Sequence, residues 1–83
     1  GADGRNAGTG GAVMAVAGAM TTAYWLRIRN DDPTQVVADR TTYPSDKCDT
    51  PADAVAKVRQ GEKATVQGSD MATFWRLWEQ EAD

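Results

Sequence analysis

The pattern of hydrophobic and polar positions divides the chain into an apolar N-terminal stretch and a mixed C-terminal part. No side chain between Asn6 and Leu26 is charged at neutral pH. A helix of that length reaches about 30 Å, which is close to the thickness of the hydrocarbon core of a bilayer. The pattern predicts a single transmembrane helix over residues 10–29, preceded by a flexible leader over residues 1–9 that lacks large apolar side chains.

Small residues recur at every fourth position of this predicted helix and define its packing face. A helix stacks them along one side: Gly11, Ala15, Ala19 and Ala23. Small residues at this spacing let the backbone of a second helix approach closely, which is how helices associate in lipid. The C-terminal end carries residues typical of the membrane–water interface, where aromatic rings and long basic side chains reach the head groups. These are Tyr24, Trp25, Arg27 and Arg29.

Two other interpretations of the same stretch remain open. Alanine is the best helix former, so the stretch is also compatible with a helix buried inside a globular protein. The second alternative is a retained signal-peptide core, with residues 21–23 as a poor cleavage site. The membrane interpretation is preferred because the smooth packing face accounts for the low content of leucine, isoleucine and phenylalanine.

The remainder, residues 30–83, predicts a small extramembrane segment with two short amphipathic helices and little or no sheet. Thr50 is a typical N-cap, Pro51 suits the first helical position and Gly61 suits the position after the last turn. These signals predict a helix near residues 51–60. Short runs at residues 34–38 and 63–67 are candidate strands, but the predicted fold class is mainly α.

The second helix is predicted near residues 70–80, with Ser69 or Asp70 as its cap. Its apolar residues follow helical spacing, and aromatic side chains on one stripe are common in protein interfaces. We expect three of them to anchor a partner protein: Phe74, Trp75 and Trp78. The alternative is that they form the core of this segment, but few other large apolar side chains are available to complete such a core.

Composition and charge remove several classes of function. Nine Lys and Arg against twelve Asp and Glu give a net charge of −3, which disfavours a nucleic-acid partner because no positive excess is left to neutralise phosphates. The chain has no histidine, which is the commonest metal ligand and general base. The single cysteine, Cys48, cannot form an internal disulfide or a paired metal site. No catalytic residue, cofactor site or metal site is therefore predicted.

Cys48 is the one residue whose setting invites a chemical interpretation. It lies beside Lys47 and just before the predicted helix N-terminus at Thr50, a setting that can lower the pKa of a thiol. A catalytic cysteine also needs a base, and the sequence supplies no histidine for that role. We expect Cys48 to be structural or incidental.

These observations predict a non-enzymatic accessory subunit that stabilises a large membrane protein complex of respiratory, photosynthetic or ATP-synthase type. Its expected partners are that complex and the lipid bilayer, with no nucleic acid and no cofactor. Its expected location is a single-pass one, in a bacterial inner membrane or an organelle inner or thylakoid membrane. The alternative is a soluble acidic protein that binds or inhibits a partner, of phage or plasmid type.

Overall fold

A computed structural model describes residues 19–81 of the chain. Its elements form an α+β fold with one antiparallel sheet and two short helices. In chain order they are β1 (Met20–Arg29), β2 (Asp32–Pro44), α1 (Pro51–Arg59), β3 (Ala64–Gln67) and α2 (Met71–Glu81). Two single-turn 3-10 helices join them, at Ser45–Lys47 after β2 and at Gly68–Asp70 before α2.

The sheet has the strand order β2-β1-β3, so β1 is the central strand. β1 and β2 form a hairpin whose register runs from Met20 opposite Pro44 to Ile28 opposite Val36. The register then shifts, and Arg29 lies opposite Asp32, so that residues 33–35 form a bulge in β2. β3 pairs with the middle of β1, from Ala23 opposite Gln67 to Leu26 opposite Ala64.

Both helices pack on the same face of the sheet and enclose the core there. Side chains alternate between the two faces of a strand, and directly opposite residues in antiparallel strands share a face. Tyr24, Leu26 and Ile28 of β1 therefore point toward the helices. The buried core cluster consists of Leu26, Ala54, Val55, Val58, Ala64, Val66, Phe74 and Trp78.

The local signals that start and end α1 act as the sequence predicts. The Thr50 side chain accepts a hydrogen bond from the Asp53 backbone N–H at 3.1 Å, and Pro51 occupies the first turn. Gly61 has φ +85°, the left-handed conformation that commonly terminates a helix. α1 spans Pro51–Arg59 and α2 spans Met71–Glu81, against predicted helices near residues 51–60 and 70–80.

The predicted transmembrane helix and the mainly α fold class are wrong. Residues 20–29 of the predicted span form the central strand, and no helix among residues 19–81 is long and apolar enough to cross a membrane. The predicted single-pass membrane location depended on that helix and is wrong with it. The physical reason is the density of β-branched and aromatic residues in β1, because these side chains fit a pleated sheet better than a helix.

The predicted helix-packing face is not formed where the structure describes it. Ala19 directly precedes β1, and Ala23 lies within β1, where it is fully buried between its neighbours Thr41 and Gln67. Because this segment is a strand and not a helix, the four-residue spacing of Ala19 and Ala23 does not create the packing face that was predicted. Gly11 and Ala15, like the predicted leader over residues 1–9, lie outside the described residues.

Candidate functional site

The outer edge of β3 is closed by the segment that enters α1. The Asp49 backbone N–H donates to the Thr65 carbonyl at 2.7 Å, and the Thr65 N–H donates to the Asp49 carboxylate at 3.1 Å. The same carboxylate accepts from Lys57 Nζ at 2.7 Å. Asp49 thus satisfies both backbone groups of Thr65, a residue that is only 3% exposed, and leaves no free ladder position there.

The outer edge of β2 has no comparable cover within residues 19–81. β2 is the other terminal strand of the sheet, and it pairs with β1 alone. Its middle positions Ala38, Asp39 and Arg40 are exposed. A terminal strand presents a row of backbone N–H and C=O groups on which a further strand can form. Within the described residues, the sheet therefore has one closed edge and one open edge.

The bulge determines where the regular part of this open edge begins. The Asp32 carboxylate accepts from both the backbone N–H and the hydroxyl of Thr34, at 3.0 and 2.7 Å. These hydrogen bonds lower the pKa of Asp32, and Arg29 adds a smaller effect in the same direction. Regular pairing with β1 starts at Val36, so the part of β2 that can template another strand runs from Val36 to Pro44.

A groove of about 450 Å³ lies beside the start of this open edge, between β2 and α2. It is lined by Thr34, Gln35, Val36, Trp75, Trp78 and Glu79. Val36 and Trp75 are half-buried and supply the apolar wall, whereas Glu79 is exposed and places a carboxylate at the rim. The groove is on the helix side of the sheet, where Val36 projects.

The three predicted interface anchors divide between the core and this groove. Phe74 is 0% exposed and Trp78 is 7% exposed, and their rings stack at 6.0 Å between centroids. Both rings belong to the core of this fold, because the sheet supplies the apolar surface that completes their packing, and only the edge of Trp78 reaches the groove. Trp75 is half-buried, meets Phe74 edge-on at 5.2 Å and lines the groove.

The Trp78 ring also contacts α1. The Arg59 guanidinium lies 4.1 Å from the ring centroid, and Arg59 Nη2 donates to the Trp78 carbonyl at 2.6 Å. A cation over an indole face is a favourable arrangement. This contact joins α1 to α2 over the core. It thereby holds α2, which supplies one side of the groove, in position.

The sheet face opposite the helices has a different character, and we call it the open face. The strand register places ten residues on it: Thr21, Ala23, Trp25, Arg27, Val37, Asp39, Thr41, Tyr43, Thr65 and Gln67. The Trp25 and Tyr43 rings meet edge-on at 5.0 Å between centroids. In the strand register, Trp25 and Tyr43 lie on either side of the Ala23–Thr41 pair. Ala23 itself is fully buried. Trp25 is 38% exposed, which makes it the large aromatic residue that this fold leaves most accessible.

The four predicted membrane-interface residues lie on β1 and do not form one group. Tyr24 points to the helix side and packs against the core, whereas Trp25 lies on the open face. Arg27 is half-buried and donates to the Ile28 carbonyl at 3.3 Å. Arg29 forms a two-point ion pair with Asp31 at 2.8 Å, which closes the hairpin turn. The lipid-facing arrangement predicted for them is absent because a strand alternates its side chains.

Cys48 is half-buried, and its Sγ lies 3.6 Å from the Pro44 carbonyl, to which it donates. Burial raises the pKa of this thiol, and the carboxylates of Asp49, Asp70 and Asp46 raise it further. This direction is opposite to the lowering that the neighbouring lysine and helix terminus suggested. Within residues 19–81 no cluster of His, Cys, Asp or Glu has the arrangement of a metal site.

Two features of the site were missed at the sequence level. The open edge and the open face both depend on the hairpin. The alternation of apolar and basic residues from Leu26 to Arg29 and the turn-forming Asn30-Asp31 could have indicated this hairpin. The role of Asp49 had no sequence signal, because it depends on Thr65 lying alongside it in the fold.

Comparison of the chain with models of known protein families, with curated proteins and with solved structures finds no match in any of the three.

Proposed function

We propose that this chain is a non-enzymatic protein-binding module that receives an extended segment of a partner protein along the open edge of β2. The segment would add to the sheet as a further strand, with main-chain hydrogen bonds providing affinity and side-chain pockets providing specificity. The observation that carries the proposal is the asymmetry of the sheet. Asp49 closes the β3 edge, whereas the β2 edge from Val36 to Pro44 stays unpaired in the described residues.

The groove beside this edge can discriminate between partner segments by their side chains. A strand added beside β2 projects alternate side chains to the helix side of the sheet, where Val36 and Trp75 form an apolar wall. An apolar side chain of the partner at that position would be removed from water by both residues. The Glu79 carboxylate at the rim favours a basic residue nearby in the partner segment. The preferred partner is therefore an extended peptide with an apolar residue next to a basic one.

Charged residues on the β2 edge disfavour pairing of this edge with the β2 edge of a second copy, and so favour a selective partner. Asp39 and Arg40 are adjacent and exposed in the middle of the edge. Two copies of β2 pairing about Asp39 or about Arg40 would place like charges directly opposite each other, which is unfavourable. Charged residues on a terminal strand are a common protection against aggregation.

The proposal is tested by selecting phage-displayed random peptides on the full-length chain. We expect enriched peptides to combine an apolar and a basic residue, and to bind about tenfold or more weakly to Trp75→Ala. Trp25→Ala is the matched control, because it removes the same side chain from the other face of the sheet. No enrichment, or a loss of binding confined to Trp25→Ala, would show that the β2 edge is not the binding site.

Backbone methylation of a selected peptide then tests the mode of binding. In a β-ladder, alternate N–H groups of the added strand point to its neighbour. We expect N-methylation at one set of alternate residues to abolish binding and methylation at the other set to leave it within about threefold. Equal losses from both sets would contradict strand addition, even if the peptide binds near Trp75.

A further inference from the structure

The middle of the open β2 edge carries two adjacent charges of opposite sign, and they project to opposite faces of the sheet. Arg40 lies opposite Tyr24 and therefore on the helix side, whereas Asp39 lies opposite Trp25 on the open face. Both charged side chains are exposed. Within residues 19–81, neither of them takes part in an ion pair or a side-chain hydrogen bond.

Strand β1, which pairs with β2 on its inner side, does not neutralise these two charges. The β1 residues directly opposite them are aromatic. Arg27 lines the same cavity as Asp39, but it lies opposite Val37, and its guanidinium donates to the Ile28 carbonyl at 3.3 Å. Both charges on the edge are therefore available to residues that an added strand places directly opposite them on the outer side.

We propose that the added strand runs antiparallel to β2 and carries an acidic residue opposite Arg40, followed by a basic residue opposite Asp39. This inference rests on the proposed strand addition and names the direction and the sequence of the partner. Opposite charges at directly opposed positions of a sheet stabilise pairing, and like charges destabilise it. An antiparallel strand passes Arg40 before Asp39, so its acid comes first, whereas a parallel strand needs the base first. Antiparallel pairing is the more stable of the two per residue.

The groove determines where the apolar residue of the partner lies relative to this charged pair. Val36 lines the groove and projects to the helix side, four positions before Arg40 in β2. In an antiparallel partner the apolar residue therefore follows the acid by four positions. The expected pattern is an acid, a base, two residues of any type and an apolar residue. A parallel partner would have the apolar residue first and the charged pair after it.

The test compares peptides selected on the full-length chain with the same peptides after exchange of their acid and base. The exchange keeps the composition and turns two opposite-charge pairs into like-charge pairs, so we expect it to weaken binding about fivefold or more. Because salt screens exposed charges, we expect the difference to shrink in about 1 M NaCl. Isothermal titration calorimetry measures both peptides on the unmodified chain, so this comparison does not depend on the folding of a variant.

The reciprocal exchange on the protein, Asp39→Arg/Arg40→Asp, should reverse the preference, so that the base-first peptide binds more tightly. The matched control, Asp46→Lys/Lys47→Asp, exchanges another adjacent acid and base that are exposed in the 3-10 helix after β2. We expect this control to keep the preference of the unmodified chain for the acid-first peptide.

The outcomes separate this inference from strand addition itself. Peptides that lose affinity for Trp75→Ala but bind equally well in both charge orders would overturn the inference and leave strand addition intact. Such a result would restrict Asp39 and Arg40 to protecting the edge from aggregation. Tighter binding of base-first peptides to the unmodified chain would overturn the antiparallel direction. If no peptide is enriched on the chain, both strand addition and this inference are overturned.

Discussion

At the scale of single residues, Cys48 shows how local sequence and three-dimensional surroundings act in opposite directions on one group. Lys47 and the N-terminus of α1 favour the thiolate, as the sequence suggests. The fold also buries Sγ against the Pro44 carbonyl and gathers Asp46, Asp49 and Asp70 around it. Burial and like charge disfavour the thiolate, so the pKa lies above its ordinary value.

The raised pKa predicts that the Cys48 thiol reacts slowly with alkylating reagents. At pH 8 the folded protein holds less thiolate than an unfolded chain, so we expect iodoacetamide to alkylate Cys48 more slowly in buffer than in concentrated urea. Asp70→Asn removes one of the charges that raise the pKa and should accelerate the folded-state reaction. Mass spectrometry of timed samples measures both rates. Equal rates in buffer and urea would contradict the protection that the structure gives to Cys48.

Gly61 provides a second prediction at this scale. Its φ of +85° is strained for residues with a side chain, whereas a Cβ added there meets no atom within 4 Å. We expect Gly61→Ala to lower the free energy of unfolding by about 1 kcal/mol, with conformational strain as the cause. Gly61→Asn should lower it less, because asparagine tolerates the left-handed region better. Urea unfolding measures both, and an unaffected Gly61→Ala variant would rule out strain at this position.

At the scale of elements, the helices could be predicted from the sequence and the hairpin was missed. The start and end of α1 are determined by residues adjacent in sequence: the Thr50 cap, Pro51 and Gly61. Strand β1 is determined by pairing with residues up to 46 positions away, as in the Gln67–Thr21 contact. A long apolar run with many alanines favours a helix locally, and the tertiary pairing overrides that preference.

The candidate site was predictable only in part, for the same reason. Trp75 was identified from helical spacing, and it lines the groove. Phe74 and Trp78 follow the same spacing, but the sheet buries them, and a sequence interpretation without that sheet could not separate the two outcomes. The closed β3 edge depends on Asp49 and Thr65 meeting across the fold, for which no local pattern exists.

The closed β3 edge predicts that the hydrogen bond from Thr65 to Asp49 contributes more to stability than the ion pair between Lys57 and Asp49. Asp49→Ala leaves the N–H of the buried Thr65 without its partner, and we expect a loss of about 1–3 kcal/mol in the free energy of unfolding. Lys57→Met removes the half-exposed ion pair alone and should cost much less, because water screens the attraction between the two charges. Urea unfolding of both variants measures the difference. A larger loss in Lys57→Met would show that the ion pair, rather than the closed edge, stabilises this region.

At the scale of the whole molecule, the described part of the chain is a two-layer structure with helices on one side of the sheet only. All eight residues of the core cluster lie between these layers. A core this small rarely supplies more than about 3–5 kcal/mol of net stability in a domain of this size. The loss of one large core side chain is therefore comparable to the stability of the whole fold.

Phe74 and Trp75 test this view because they are adjacent aromatic residues on different surfaces of α2. Phe74 is fully buried and stacks on Trp78, so Phe74→Ala should cost about 3–5 kcal/mol and leave a large fraction of the chain unfolded at 25 °C. Trp75 is half-buried at the groove, and we expect Trp75→Ala to cost substantially less. Far-UV circular dichroism with urea titration measures both variants. If Trp75→Ala were the more damaging, Trp75 would belong to the core, and its place as the wall of a partner-binding groove would be lost.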